Sequence, residues 1–330
     1  MNRHLVLLLF IVLLAINANA QAPAGAAAAH VAAAKAAARQ DYAGVLNLCE
    51  QPASGQRAAP AAQQANAPAQ RTIPPASQWY AEPAKIFDNL YFIGSKDVSA
   101  WAITTSDGII LIDSLYDYSV EEQIANGLKK MGLDPTKIKY VVVTHGHGDH
   151  YLGSKFLQDR YGAHIVLSEA DWNFMANDRN AAQLKPKKDM VATEGQKLTL
   201  GDTTLTLYVT PGHTPGTVSL VFPVKDGTQR HLAAMWGGVG FNFQRTPQAF
   251  KTYAASARRF QDIVAKAGVD VHLTNHSGQD KTLDKIAALK SRKPGGSHPF
   301  FVGNEAMKRF MTVVSECADA QYTWLTTSAN

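Results

Sequence analysis

The chain has 330 residues, 46% of them hydrophobic, enough apolar material for one large core with appended segments. Its formal charge of +5 is a modest excess that either favours anionic substrates or merely solvates a face. No basic run interleaves with aromatics, so nucleic acid is excluded as an expected partner.

Residues 1–20 read as a secretory signal peptide. Arg3 gives the positive end, Leu5 to Ile16 the apolar stretch, and Ala18, Asn19 and Ala20 a small-residue cleavage site before Gln21. The apolar run is short for a membrane span, so no stable insertion is expected after cleavage. Export would place the mature chain in the periplasm or outside the cell. There Cys49 and Cys317 could pair, although their spacing leaves two free buried thiols equally open. Residues 21–50 are alanine-rich and predict a helical segment whose far end, with Tyr42, Val45, Leu46 and Leu48, docks on the core. Residues 51–78 are rich in Pro, Ala and Gln and read as a linker, leaving 79–330 as the principal domain.

That domain opens with strand-like runs at Ile86 to Ile93, Ala100 to Thr104 and Gly108 to Asp113. Ser119 and Glu122 suggest a capping box for a helix that presents Val120, Ile124, Leu128 and Met131 and stops at Gly132. Lys139 to Val143 then read as a buried strand, and Tyr151 to Tyr161 as a helix. The loop between them holds Thr144, His145, Gly146, His147, Gly148, Asp149 and His150. Three imidazoles and a carboxylate within six positions are metal-ligand chemistry: neutral imidazole suits zinc, and the carboxylate adds charge compensation. The glycines permit the tight backbone that lets His145 and His147 converge on one point while Asp149 and His150 face another.

Further on, His164 to Ser168 form a strand in which His164 is structural, and a short helix starts near Glu169. The polar stretch Ala176 to Met190, with Lys185, Lys187 and Lys188, is either a substrate-contacting loop or an exposed turn. Strands at Leu198 to Leu200 and Thr203 to Thr210 lead to Thr210-Pro211-Gly212-His213-Thr214-Pro215-Gly216, a rigid turn where little besides ligation explains an imidazole. Val218 to Phe222 and Arg230 to Met235 continue a second sheet and end at Trp236-Gly237-Gly238. Thr246 and Pro247 start a helix that buries Phe250, Tyr253, Ala257, Phe260 and Val264 and ends at Gly268. Val269 to Asn275 is the last strand, with His272 inside it and His276 at its end. Leu283, Ile286 and Leu289 mark another helix, closed by Pro294 and Gly295. His298 reads as a surface residue, and Asn304 caps a final helix bearing Met307, Phe310, Val314 and Cys317.

The HxHxDH pattern of His145, His147, Asp149 and His150 resembles the signature of the metallo-β-lactamase superfamily, and the resemblance extends roughly from Trp79 to the end. It implies a layered α/β fold, an αββα sandwich with a metal site at one edge, and hydrolysis of a small molecule. Two Zn2+ ions are the implied cofactors: one on His145, His147 and His213, the other on Asp149, His150 and His276, with His276 preferred to His272 for its place at the strand end. Asp113 would stand behind the metals or, equally, accept hydrogen bonds in its turn. The aspartate that bridges both metals in hydroxyacylglutathione hydrolases and phosphodiesterase-like members is missing, because no acid occurs between His231 and Gln244. The cysteine ligand of one β-lactamase subclass is also absent. The pattern that fits is the subclass with three histidines at one zinc and Asp, His, His at the other, although Trp-Gly-Gly is unexpected even there.

The implied reaction is attack on a cyclic amide, a β-lactam first, by a hydroxide that zinc generates near neutral pH, with Asp149 as the catalytic carboxylate that orients it and passes a proton. Hydrolysis of a lactone, thioester or phosphodiester by an exported enzyme of the same fold is the alternative. A zinc-binding module that recruits a partner through the alanine-rich helix is a third reading.

Overall fold

The computed structural model describes residues 25–51, 72–180, 182–293 and 295–327. The expected signal peptide, most of the linker and Pro294 lie outside them. The first sheet has seven strands in sequence order: β1 (Ala84–Phe87), β2 (Leu90–Phe92), β3 (Trp101–Thr105), β4 (Gly108–Ile112), β5 (Ile138–Val142), β6 (His164–Ser168) and β7 (Met190–Ala192). β1 to β4 are antiparallel neighbours, and β4 to β7 run parallel. The second sheet has the order β12-β11-β10-β9-β8, built from β8 (Gln196–Leu200), β9 (Thr203–Val209), β10 (Val218–Asp226), β11 (Gln229–Met235) and β12 (Val271–Leu273). Only β11 and β12 are parallel there.

Strand alternation sorts side chains into layers. Ile110, Ile112, Val142 and Met235 face inward, into a core that the two sheets share with Leu207, Leu220 and Phe222. Ile109, Leu111, Val141 and Val143 face outward, against helices on the first sheet. Ala234 and Trp236 face the helices on the second. The chain therefore forms the expected αββα sandwich.

The helices are α1 (Ala26–Ala38), α2 (Ala76–Trp79), α3 (Asn126–Lys130), α4 (Gly148–Tyr151), α5 (Ser154–Tyr161), α6 (Glu169–Ala176), α7 (Pro247–Ala267), α8 (Thr282–Lys290) and α9 (Asn304–Thr327). None of the described helices is long and apolar enough to cross a membrane. Thr246 caps α7 by accepting from Ala249 N, and Gly268 ends it with φ 72°. The buried face of α7, with Phe250, Tyr253, Phe260 and Val264, packs beside α9; each such side chain contributes roughly 1.5–3 kcal/mol. Small buried residues, Ala34 and Ala38, let α1 lie on α9. Cys49 then bonds to Cys317 of α9, which decides between the two readings of the cysteines.

Four local expectations are corrected. Ile86 to Ile93 is a hairpin rather than one strand, because Asp88 and Asn89 turn the chain and both are anchored on Lys225 backbone atoms. No capping box forms at Ser119. Its hydroxyl donates to Tyr116 O, the helix opens with a wide π turn at Glu121–Ala125, and Glu122 accepts from Asn126 instead. His298 is buried rather than on the surface, stacked 4.2 Å from Phe87 and bonded to Ile86 O. The Asn304 side chain does not cap its own helix but donates to Val264 O and Val269 O at the end of α7.

Candidate metal centre

The centre lies where β4, β5, β9, β11 and β12 end. Each strand delivers one element of it: Asp113, the 144–150 loop, the 210–216 turn, the 236–240 turn and the Asn275-His276 pair. Asp113 is held at φ 61°, a left-handed conformation unfavourable for a side chain, and such strain persists only where the surroundings fix it. Here they do. Its carboxylate accepts from Thr144 N at 2.7 Å, Thr144 Oγ1 at 3.0 Å and His150 Nδ1 at 2.7 Å.

All six residues expected as ligands are brought together, in the two groups expected. His145 Nε2 and His147 Nδ1 each lie 3.0 Å from His213 Nε2. His150 Nε2 lies 3.2 Å from both His276 Nε2 and Asp149 Oδ2, and His276 Nε2 lies 3.7 Å from that same oxygen. His145 and His150 link the groups, their ring centroids 4.1 Å apart. His272 is not among them: it sits fully buried between Tyr42 and Phe310. His164 is exposed at a strand start and pairs with Asp189.

Four of the five histidines have their outer nitrogen engaged. Gly237 O accepts from His145 Nδ1 at 2.9 Å and Gly240 O from His213 Nδ1 at 2.5 Å; Asp113 takes His150 Nδ1, and Asp97 O faces His276 Nδ1 at 3.2 Å. These bonds turn the Nε2 atoms of His145, His213, His150 and His276 inward. Burial first, then the neighbouring imidazoles, keep the rings neutral, with His147 lowered to about 4, His213 to about 3, and His145 and His276 also lowered. Lone pairs converging at 3.0 Å without protons between them repel, and a cation among them removes the conflict. In the second group burial opposes charge on His150, yet Asp149 and Asp113 outweigh it and raise the ring to about 10. Burial likewise opposes ionisation of Asp149, yet His150 and His276 hold its carboxyl below the usual range. The second group thus demands positive charge, as proton or metal. The donor sets fit zinc, and both groups could hold a metal ion.

A third cluster, His30, Glu316 and Asp319, joins α1 to α9, but His30 pairs with Glu316 and Arg258 with Asp319.

Sequence reasoning missed four supports. Asp171 in α6 is buried and accepts from Gly146 N, Gly216 N and Thr214 Oγ1. Asn275 donates to Gly237 O at 2.7 Å and Thr144 Oγ1 at 3.1 Å. The Gly237 and Gly240 carbonyls carried no signal in the sequence; Asp171, three residues after a capping serine, and Asn275, next to His276, carried a faint one. Two lysines of the 176–190 stretch are tied back to the protein: Lys185 pairs with Asp178, which also accepts from Tyr151 OH at 2.6 Å, and Lys188 pairs with Glu169. Phe174 stands edge-on to His147, centroids 5.5 Å apart.

The end of β11 has no acid, and its two glycines leave no room for a side chain. The Trp236 indole is buried and donates to Tyr253 OH. A Cβ on Gly237 would fall 2.1 Å from Val218 O, and one on Gly238 within 2.4–2.6 Å of His213 side-chain atoms.

Residues 93–227 match the model of the Metallo-beta-lactamase superfamily, and the chain carries a domain of that superfamily. Among solved structures it is similar to BJP-1, a subclass B3 metallo-beta-lactamase of Bradyrhizobium japonicum, with 28% identity and a TM-score of 0.64 over 76% of this chain and 97% of that one. It shares its fold with the FEZ-1 metallo-beta-lactamase of Legionella gormanii, at 24% identity and a TM-score of 0.63 over 76% and 98% of the two chains. A hydroxyacylglutathione hydrolase of Acidiphilium cryptum is 36% identical over 120 residues, which are 34% of this chain. The match spans 42% of that relative's own length, less than half.

Proposed function

We propose that this superfamily hydrolase is a zinc-dependent β-lactamase. The observation that carries the reading is the donor set: three histidines beside Asp149, His150 and His276, with the β11 end sterically closed to a bridging carboxylate. Two zinc ions would be held by these groups and would supply Lewis-acid polarisation of a carbonyl and acidification of water to a pKa of about 7.

The protein's own residues do the rest. His147, Asp149 and His276 are the partly exposed members, so the substrate approaches from their side. Asp149, kept ionised, orients the attacking water, accepts its proton and returns it to the leaving nitrogen as the ring opens. No side-chain nucleophile is required: both cysteines are in the disulfide, and Ser114 beside the centre is hydrogen-bonded to His150 O and Ser154. Export with cleavage after Ala20 belongs to the same proposal. The disulfide supports an oxidising compartment, and a β-lactamase there would confer antibiotic resistance.

The similarity to hydroxyacylglutathione hydrolases favours thioesters as a second substrate class. Zinc-loaded protein beginning at Gln21 should be assayed on a penicillin, a cephalosporin, a carbapenem and a hydroxyacylglutathione, with a chelator control and His147→Ala. β-Lactam turnover abolished by both controls is expected. Turnover of the thioester alone would replace the proposal with the second class.

A further inference from the structure

The first triad is held by three loops that do not touch one another in sequence, and one carboxylate joins two of them. Gly146 N, in the peptide between His145 and His147, donates to Asp171 Oδ2 at 2.8 Å. On the other loop, Gly216 N donates to Asp171 Oδ1 at 2.7 Å and Thr214 Oγ1 to Oδ2 at 2.6 Å, both within three residues after His213. The start of α6 is fitted to that turn. Ser168 Oγ donates to Gly216 O at 2.6 Å while accepting from Asp171 N, and a Cβ on Gly216 would fall 2.0 Å from Ser168 Oγ. One helical turn later Phe174 braces Gly146, where an added Cβ would stand 3.0 Å from its ring.

We infer that Asp171 is a positioning residue for the first metal site alone: it sets the separation between the His145–His147 loop and the His213 turn. This rests on the triads being metal sites, as proposed above. Its three partners are all donors, which only a carboxylate matches in full. Asparagine is not an equivalent here. Gly146 N–H points at one oxygen and Gly216 N–H at the other, so whichever way the amide is flipped, its NH2 faces a fixed backbone donor. The second triad has no bond to Asp171; its anchor is Asp113.

The test is cobalt(II) substitution in Asp171→Asn and Thr214→Val, read by the visible ligand-field spectrum and by chelator competition, beside a thermal melt. Wild type should bind two ions. Asp171→Asn should lower affinity at the three-histidine site roughly 10–100-fold and alter its spectrum while leaving the other site unchanged. Thr214→Val, which removes one of the three bonds and retains both backbone ones, should give a smaller change of the same kind and carries the test if the first variant does not fold. Two ions bound with wild-type affinity and spectrum in these variants, or equal loss at both sites in step with a lowered melting temperature, overturns the inference. A wild-type protein that binds no metal at the histidines overturns the proposed function as well, so the two failures are distinct.

Discussion

His150 Nδ1 lies 2.7 Å from Asp113 Oδ2, and neither side chain reaches solvent. The same carboxylate holds Thr144, one residue before His145, so a single buried acid orients the second triad and pins the start of the ligand loop. In Asp113→Asn the amide must present NH2 either to the Thr144 backbone N–H or to His150 Nδ1–H. Affinity for the second ion should fall roughly 10–100-fold with the first ion retained, measured by stepwise chelator titration. Equal affinities in variant and wild type would show that the bond does not position His150 for metal.

His272 offers a pH-dependent stability. It is fully buried, and neither ring nitrogen has a hydrogen-bond partner among the described residues. Burial lowers its pKa to about 3, with Lys285 acting in the same direction and Asp280 against it. The folded chain therefore keeps the ring neutral, while the unfolded chain takes up a proton below about 6.5. The stability tied to the neutral ring is complete above pH 6.5 and is lost as pH falls toward 3, at up to about 1.4 kcal/mol per pH unit. His272→Phe keeps an aromatic ring between Tyr42 and Phe310 and removes this titration. Chemical denaturation of both proteins with excess zinc between pH 7 and 4 should show a shallower decline for the variant; parallel curves would exclude His272 as the source.

Much of the site was legible because its chemistry is local. His145, His147, Asp149 and His150 fall within six residues, and His213 stands between two Pro-Gly pairs. His276 could be separated from His272 by one physical rule: a strand end opens onto a site, whereas a strand interior is packed. The layers were legible for a similar reason, since alternating residues such as Ile109 to Ile112 divide cleanly between two cores. The supports were not legible. Asp171 looks like an acid favoured by a helix N-terminus, and only the fold brings Gly146 and Gly216, 25 and 45 residues away in opposite directions along the chain, onto it. Ser119 and Glu122 had a capping pattern, but tertiary demand prevailed: the π turn carries Gln123 to Ala81, where its amide bonds both the N–H and the carbonyl.

The Cys49–Cys317 bond closes a loop across 268 positions and ties the alanine-rich arm to α9. Cys49→Ser with Cys317→Ser should lower stability by about 2–5 kcal/mol and the melting temperature by on the order of 10 °C. The six residues of the centre lie outside the arm, so zinc stoichiometry at 25 °C should be unchanged. A melting temperature insensitive to reductant in the wild type would mean that the arm is held by its packing on α9 alone.

Gly238 lies directly against a ligand side chain of the first triad. A methyl there would stand 2.4 Å from His213 Cδ2, and the ring cannot retreat without breaking the bond from its Nδ1 to Gly240 O. A Cβ on Gly240, two residues on, would have the flexible Asn242 side chain as its nearest neighbour, at 3.2 Å. Gly238→Ala should therefore lower affinity at the three-histidine site roughly 10–100-fold and reduce turnover accordingly, while Gly240→Ala leaves both near wild type. Isothermal titration with zinc separates the two variants. If Gly238→Ala keeps its first ion but loses turnover, the 236–240 turn contacts substrate instead of positioning His213, and the Trp-Gly-Gly sequence becomes a determinant of which amide or thioester is admitted.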